Sequence, residues 1–508
     1  METEPLAAPE QVDVAIVGAG LSGIGAAYRL RAGRPRDRIV VLERRQQLGG
    51  TWSIFRYPGV RSDSDMFTLS YPFRPWTHPA SIARGPDILR YLEDTARETR
   101  VDDLIRYDSA VTSATWSRST ARWTLTIGTS DGGVRKLSCR FLYLCAGYYS
   151  YESGYSPDFP DAASFAGTIV HPQQWPSDLD VAGRRVVVIG SGATAVSLVP
   201  ALAESASSVT MLQRSPTWMV GQPSHDRLDD LARRHLPAGV AHRLARSKHV
   251  LAMMGLYVAA RAAPSVTGRI LKALVARRLR DASSVDPHFS PEYPPWDQRL
   301  CVVADDDLFS VIRDGRARVV TDRIRRFDPT GVQLASGGHL DADVIVTATG
   351  LRLIPLGGIA ITVDGRRVDP GSTRMLRGHM LSGLPNLAWC IGYANASWGL
   401  RADISSRQVV RVLDLLDRHD ADYAVPTIRA RAGQGVAERP AGRPILHFSS
   451  GFIRRAMGTL PTQGDRYPWR LPQNYLIDLA LMRFDRVRRG LKLGRAAARS
   501  TGLPGAPL

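Results

Sequence analysis

The chain has 508 residues, 44% hydrophobic and 22% charged, an ordinary globular composition that at about 150 residues per domain allows two to four domains. No apolar run of about 18 residues occurs, which argues against a membrane-spanning helix. The four cysteines (Cys139, Cys145, Cys301, Cys390) stand far apart with no C-x-x-C, which argues against a disulfide framework, a zinc site or any other metal, and a redox dithiol, and fits a cytoplasmic setting.

The formal net charge of +18 comes almost wholly from arginine, concentrated near 227–280 and 483–499. No basic patch interleaved with aromatics appears, so no nucleic-acid partner is expected. An anionic cofactor and weak association with an acidic membrane surface both fit the charge. The opening METEPLAAPEQVD is acidic and polar and lacks the pattern of a signal peptide.

The first predicted element is a buried parallel strand through Val12, Val14, Ile16 and Val17. It runs into Gly18-x-Gly20-x-x-Gly23 and an Ala-rich helix. Gly18 permits the tight turn, Gly20 admits a pyrophosphate and Gly23 lets helix and strand pack closely. The helix N-terminus adds donors and a favourable dipole. A second strand, RIVVLER, ends in Glu43, placed to accept the ribose hydroxyls of an adenosine. Then GGTWSIFRYPGVRSD (49–63) offers Gly49 and Gly50 for close backbone approach, Trp52 as an aromatic face, and a stiff Tyr57-Pro58-Gly59 turn.

A second unit repeats the plan. RRVVVIGSGATAVSLVPAL gives a strand, Gly190-x-Gly192-x-x-Ala195 and a helix, followed by the strand VTMLQRS. Laid on the first unit, Glu43 matches Gln213 and Arg44 matches Arg214. A carboxylate there would repel a ribose 2′-phosphate, whereas neutral Gln213 with Arg214 would accept one. The first site thus reads as FAD or NAD, the second as NADPH. The strands FLYLCAG (141–147) and DVIVTATG (343–350) bracket the second unit and suggest that it is inserted into the first. Residues 225 to about 290 read as helical and Arg-rich, with HVLAMMGLYVAARAA (249–263) as a core or lid helix. DISSRQVVRVLDLLDRH (403–419) reads as a closing helix, 425–445 as loop and TGLPGAPL as a frayed end.

These motifs carry a resemblance. Gly49-Gly50-x-Trp52 with Arg56-Tyr57-Pro58-Gly59 and Asp63 is similar to the long fingerprint of class B flavin monooxygenases of the Baeyer–Villiger type. FAGTIVHPQQWP matches their short fingerprint through Phe165, Gly167, His171, Trp175 and Pro176. FRYPGVRSDSDMFTL, GYYSYESGYSP, MLQRSP, PPWDQRLC and NASW resemble the ethionamide-activating branch.

The resemblance implies an α/β chain with two Rossmann-like domains, for FAD and NADP, and a helical insertion. The FAD domain would be split over 1–150 and 385–508, the NADP domain over 151–224 and 335–384. The insertion, 225–334, would carry the catalytic Arg299, partnered by Asp63. FAD contacts would be Gly18, Gly20, Ser22, Gly23, Glu43, Gly50, Thr51, Trp52, Asp63 and Val111. The coenzyme would meet Arg61, Ser62, Asp63, Gly190, Ser191, Gly192, Ala193, Thr194, Ala195, Gln213 and Arg214.

In this family NADPH reduces FAD, and the reduced flavin traps O2 as a peroxide. The peroxide inserts one oxygen atom into a small-molecule ketone or passes it to sulfur. A guanidinium suits the developing negative charges. The His-to-Trp-Pro segment is a hinge between the nucleotide domains, not an acid–base group. Departures from the branch are Ala304-Asp305-Asp306-Asp307 and Gly399 after Trp398, both expected near the substrate. A heteroatom-hydroxylating flavin enzyme and a non-catalytic flavin binder are the alternatives, and no motif specifies an oligomeric state.

Overall fold

The computed structural model describes residues 9–281, 283–428, 442–446 and 449–497. Its frame is two open sheets. In the first, Glu10–Val17 pairs in parallel with Ile39–Leu42 on one side and Val134–Leu144 on the other. Val14 and Ile16 serve one core, Ala15 and Val17 the other, so the strand is apolar at consecutive positions because both of its faces are covered. Helices Leu21–Gly33 and Trp398–Arg418 pack together over one face. The antiparallel strands Ala110–Ser117 and Arg122–Gly128 extend the sheet beyond Val134–Leu144.

The second sheet has five strands, all parallel, in the order Ala317–Thr321, Ser208–Gln213, Arg185–Ile189, Val344–Thr347, Thr168–Val170. It lies between stretches of the first sheet in the chain, but of the two bracketing strands only 141–147 falls in the first sheet, whereas Val344–Thr347 belongs to the second. The helical segment comprises Arg227–His235, Ala238–Ala262 and Pro264–Leu279.

Three boundaries differ from the sequence reading. Strand Ala360–Val363 pairs in parallel with Ala110–Ser117, and Met375–Leu376 and Met380–Leu381 also belong to the first sheet. The chain has therefore rejoined the first sheet by Ala360, not at 385. The insertion assigned to 225–334 is continuously helical only as far as Leu279, with one short further helix, Asp307–Arg313. Beyond Leu279, Cys301–Ala304 pairs with Met219–Gln222, and Ala317–Thr321 is an edge strand of the second sheet. The closing helix begins at Trp398, ahead of the expected 403.

The segment 425–445 falls largely outside the described residues, but its two ends are short strands, Tyr423–Pro426 and Arg443–Pro444. TGLPGAPL also lies outside them. Among the described residues no single helix is long and apolar enough to cross a membrane.

Candidate active site

A cavity of about 530 Å³ opens where the two sheets meet. Gly18, Gly20, Ser22, Glu43, Gly50, Thr51, Trp52, Val111, Arg61, Ser62, Asp63 and Arg299 all line it, together with Ala193 and Thr194 from the second unit. The first turn is shaped by close packing. Gly18 has φ +102°, and a Cβ there would lie 2.8 Å from the carbonyl oxygen of Cys145. A Cβ on Gly23 would overlap the carbonyl oxygen of Gly18, so Gly23 lies behind the cavity and seats the helix on the turn.

Glu43 is buried at the strand end. Its Oε2 accepts the Ala19 N–H at 2.8 Å and its Oε1 the Arg45 N–H at 3.0 Å. Desolvation raises its pKa against those two donors. The carboxylate is thus fixed, with lone pairs left for a diol.

Toward the second unit stands the ion pair expected from the resemblance. Arg299 Nη2 donates to Asp63 Oδ1 at 3.3 Å, and the two side chains are 38% and 41% exposed, open to the cavity. Arg299 follows Trp296, a non-glycine residue at φ +70° whose ring is buried against Tyr257. That turn aims the guanidinium inward. Burial pulls the Arg299 pKa down, but Asp63 and the neighbouring tyrosines outweigh it and the net shift is upward.

Arg61 is held by Asp307, at the start of helix Asp307–Arg313. Ser62 is buried and its Oγ accepts the Ala83 N–H at 3.2 Å, so it fixes the loop.

Other lining residues were not singled out from the sequence. Tyr148 stacks on Trp398 with centroids 5.1 Å apart, and its hydroxyl meets that of Tyr149 at 2.9 Å. Burial raises the pKa of both phenols, which stay protonated. Trp398 Nε1 donates to Ser22 Oγ at 2.7 Å and so ties the far end of the chain to the first turn. The motifs GYYSYESGYSP and NASW contain these residues, but only the fold shows which face they present. Among the described residues no histidine lines the cavity.

The second unit is more open. Gly190 packs against the Ala348 backbone and Ala195 is buried, while Gly192 and Ala193 are exposed at the N-terminus of helix Ala193–Leu202. Ser191 Oγ lies 2.8 Å from Thr217 Oγ1. Gln213 departs from expectation. It is 1% exposed, and its amide donates to the His288 carbonyl at 2.7 Å and to Thr321 Oγ1 at 2.8 Å. Its side chain faces inward and leaves the strand end uncharged. Arg214 is exposed.

The short fingerprint lies off the cavity. His171 Nδ1 accepts the Gln173 N–H at 3.1 Å, so its Nε2 carries the proton and donates to the Gly350 carbonyl at 3.2 Å. Gly350 also accepts the Tyr155 N–H at 2.9 Å, so the imidazole joins both chain crossings between the units. Phe165 packs edge-on to Phe327, Gly167 lies against the Asp343 carbonyl, Trp175 packs on the second core, and Pro176 accepts the Leu179 N–H.

The departures also move. Gly399 is buried against the Leu69 carbonyl and does not itself line the cavity. Asp305 binds Ser224, Asp306 pairs with Arg278 at 2.5 Å and Asp307 holds Arg61. That acidic run is a brace. Cys390 lies beside Cys145, because Trp389 pairs in register with Leu144. Spacing could not show that neighbourhood; both thiols are free and buried.

Two dinucleotide-type sheets that share one cavity, with a guanidinium–carboxylate pair between them, define a two-nucleotide oxidoreductase. Similarity to known proteins narrows this. A model of NAD(P)-binding Rossmann-like domains matches residues 16–92, and one of L-lysine 6-monooxygenase/L-ornithine 5-monooxygenase matches 89–230. The chain is 48% identical over 491 residues to the FAD-containing monooxygenase EthA of Mycobacterium tuberculosis, covering 96% of this chain and 99% of the relative. It is 46% identical over 479 residues to EthA of Mycolicibacterium smegmatis, covering 94% and 96%.

The chain therefore belongs to the FAD-containing monooxygenases. Its fold is that of Baeyer–Villiger enzymes. An oxidized steroid monooxygenase bound to NADP superposes with TM-score 0.73 at 23% identity, covering 96% of this chain and 100% of the other. An open cyclohexanone monooxygenase superposes with TM-score 0.71 at 20% identity, covering 95% and 99%.

Proposed function

We propose that this flavin monooxygenase uses NADPH and O2 to insert one oxygen atom into ketones, giving esters or lactones, and also oxygenates thioethers or thioamides. The observation that carries the reading is the Arg299–Asp63 pair on the wall shared by both nucleotide units. The cofactors fit the residues present. The glycine turn leaves space that side chains would fill, and the fixed Glu43 carboxylate suits the adenosine ribose of FAD. The exposed N-terminus of Ala193–Leu202 suits a pyrophosphate, and exposed Arg214 beside an uncharged strand end suits a 2′-phosphate.

When bound, the flavin supplies the oxygen-activating chemistry. The chain supplies charge and shelter. Arg299 places a permanent cation where negative charge develops on the attacking oxygen and on the substrate carbonyl oxygen. Asp63 orients that cation. The neutral Tyr148 and Tyr149 hydroxyls lie close to the pair and add donors without adding charge.

Replacing Arg299 with Ala should leave the protein yellow and able to oxidise NADPH, with ester from phenylacetone reduced by at least about a hundredfold. Asp63→Asn should show a smaller loss. Ester at the parental rate from the Arg299 variant would refute the role. Amine hydroxylation is the second reading, favoured by the match to the lysine and ornithine monooxygenase model. It needs an anion free to bind an ammonium group, whereas Asp63 is already paired with Arg299. Product analysis with thioanisole and a primary amine separates the two readings.

A further inference from the structure

Helices Ala238–Ala262 and Pro264–Leu279 turn an apolar face outward. Leu251 is 60% exposed, Val258 58% and Ile270 54%, with Leu244 and Val266 also in solvent. Their inner faces are committed elsewhere. Leu256, Tyr257 and Ala260 pack with Trp296 and Leu300, which flank Arg299, while Val250, Met253 and Met254 pack with Tyr393 and Ala396 on the cavity wall. One layer of helix therefore separates the bare apolar surface from the active site. Tyr475 joins the same packing, and its helix Tyr475–Phe484 exposes Leu476, Ile477 and Phe484 beside it.

The charge around this face is one-sided. Residues 231–280 contain no Asp or Glu. Arg243, Arg269, Arg277 and Arg280 are exposed and make no ion pair among the described residues. Exposed apolar side chains and unpaired guanidinium groups on one segment match the boundary between anionic headgroups and acyl chains. A second copy of the chain is a poor occupant, because a two-fold contact would bring the same arginines face to face. The two helices meet at a bend of 120°, and each has a buried face, which suits lying on a leaflet and not spanning it.

We propose that this surface docks on an anionic lipid leaflet and that the enzyme draws an apolar, bilayer-dissolved ketone or thioether from it; the substrate half rests on the oxygen-insertion reading above. The test uses full-length holoenzyme and vesicles of phosphatidylcholine, with and without phosphatidylglycerol, followed by co-sedimentation. Binding should require phosphatidylglycerol and weaken as salt is raised. The double variant R269Q/R277Q should bind about fivefold more weakly per arginine removed, and L251S/V258S/I270S at least about tenfold more weakly.

Both variants should turn over a water-soluble ketone at the parental rate and lose turnover of a long-chain ketone carried in the vesicles. Equal binding to neutral vesicles, or none to either, would overturn the docking. So would a dimer, formed without lipid, that L251S/V258S/I270S dissociates. Vesicle binding without oxygenation of either ketone would retire the oxygen-insertion reading and leave the docking in place.

Discussion

The two glycine-rich turns share a plan and differ in closure. In the first, Gly23 lies hard against Gly18, both oxygens of Glu43 are held by backbone N–H groups, and Trp398 reaches Ser22 from the other end of the chain. In the second, Ala195 stands in the third position, Gly192 and Ala193 are exposed, and a Cβ on Gly192 would meet nothing within 4 Å. The strand-end residue there turns inward. One supersecondary motif can therefore retain a resident cofactor when walled in, and admit an exchanging coenzyme when one side is left open.

Substituting alanine at one glycine of each turn, the walled-in Gly23 and the open Gly192, should show the difference most sharply. Gly23→Ala forces a methyl group into the Gly18 carbonyl, so we expect a loss of about 3 kcal/mol or more, with colourless or insoluble protein. Gly192 has φ −81°, close to the −82° of Gly20 in the first turn, a conformation alanine adopts freely. Gly192→Ala should stay yellow and within about 0.5 kcal/mol of the parent. Flavin absorbance per protein and a denaturant melt of each variant decide the matter. A yellow, parentally stable Gly23→Ala would mean that the first turn is not the closed one.

Much of this contrast is legible in the sequence, for a physical reason. Backbone turns against a pyrophosphate admit few residue types, so Gly18, Gly20 and Gly23 announce themselves by spacing, as does Glu43 at its strand end. The Asp63–Arg299 pair was reachable only through resemblance, because 236 positions separate its members. Gln213 shows the limit. Its polarity suggested a coenzyme contact, yet the neighbouring His288 carbonyl and Thr321 hydroxyl capture it, and no one-dimensional signal records them. Gly399 likewise looked like a change in substrate shape, and only the approach of the Leu69 backbone shows that it serves packing.

The second turn can be sharpened through its remaining charge. With Gln213 directed inward and Arg214 exposed, we propose that the preference for a 2′-phosphate falls on Arg214. Arg214→Ala should raise the KM for NADPH by about ten- to a hundredfold, the size of a charge-assisted hydrogen bond, and leave NADH kinetics and kcat nearly unchanged. Equal effects on both coenzymes would place Arg214 in the fold and not in coenzyme selection.

The smallest effect, per unit of pH, concerns acid stability, and again it separates the regions. The first sheet holds His379 fully buried, with its pKa lowered to about 3 by desolvation and by nearby Arg401 and Arg377. His242, buried near Arg246, is lowered to about 4, again mainly by desolvation. In the second unit His288 is lowered too, by desolvation, but it is only part-buried and bonded to Thr321. Below about pH 6.5 the unfolded chain binds protons that the folded chain refuses. The stability tied to His379 and His242 is therefore fully present above that pH and falls as pH drops toward 4, by about 1.4 kcal/mol per unit for each of these two. Denaturant melts across this range should show a shallower decline for His379→Gln than for the parent, whatever its stability at neutral pH. An unchanged slope would mean that His379 takes up its proton without unfolding, and that the first sheet yields locally where its packing looks most closed.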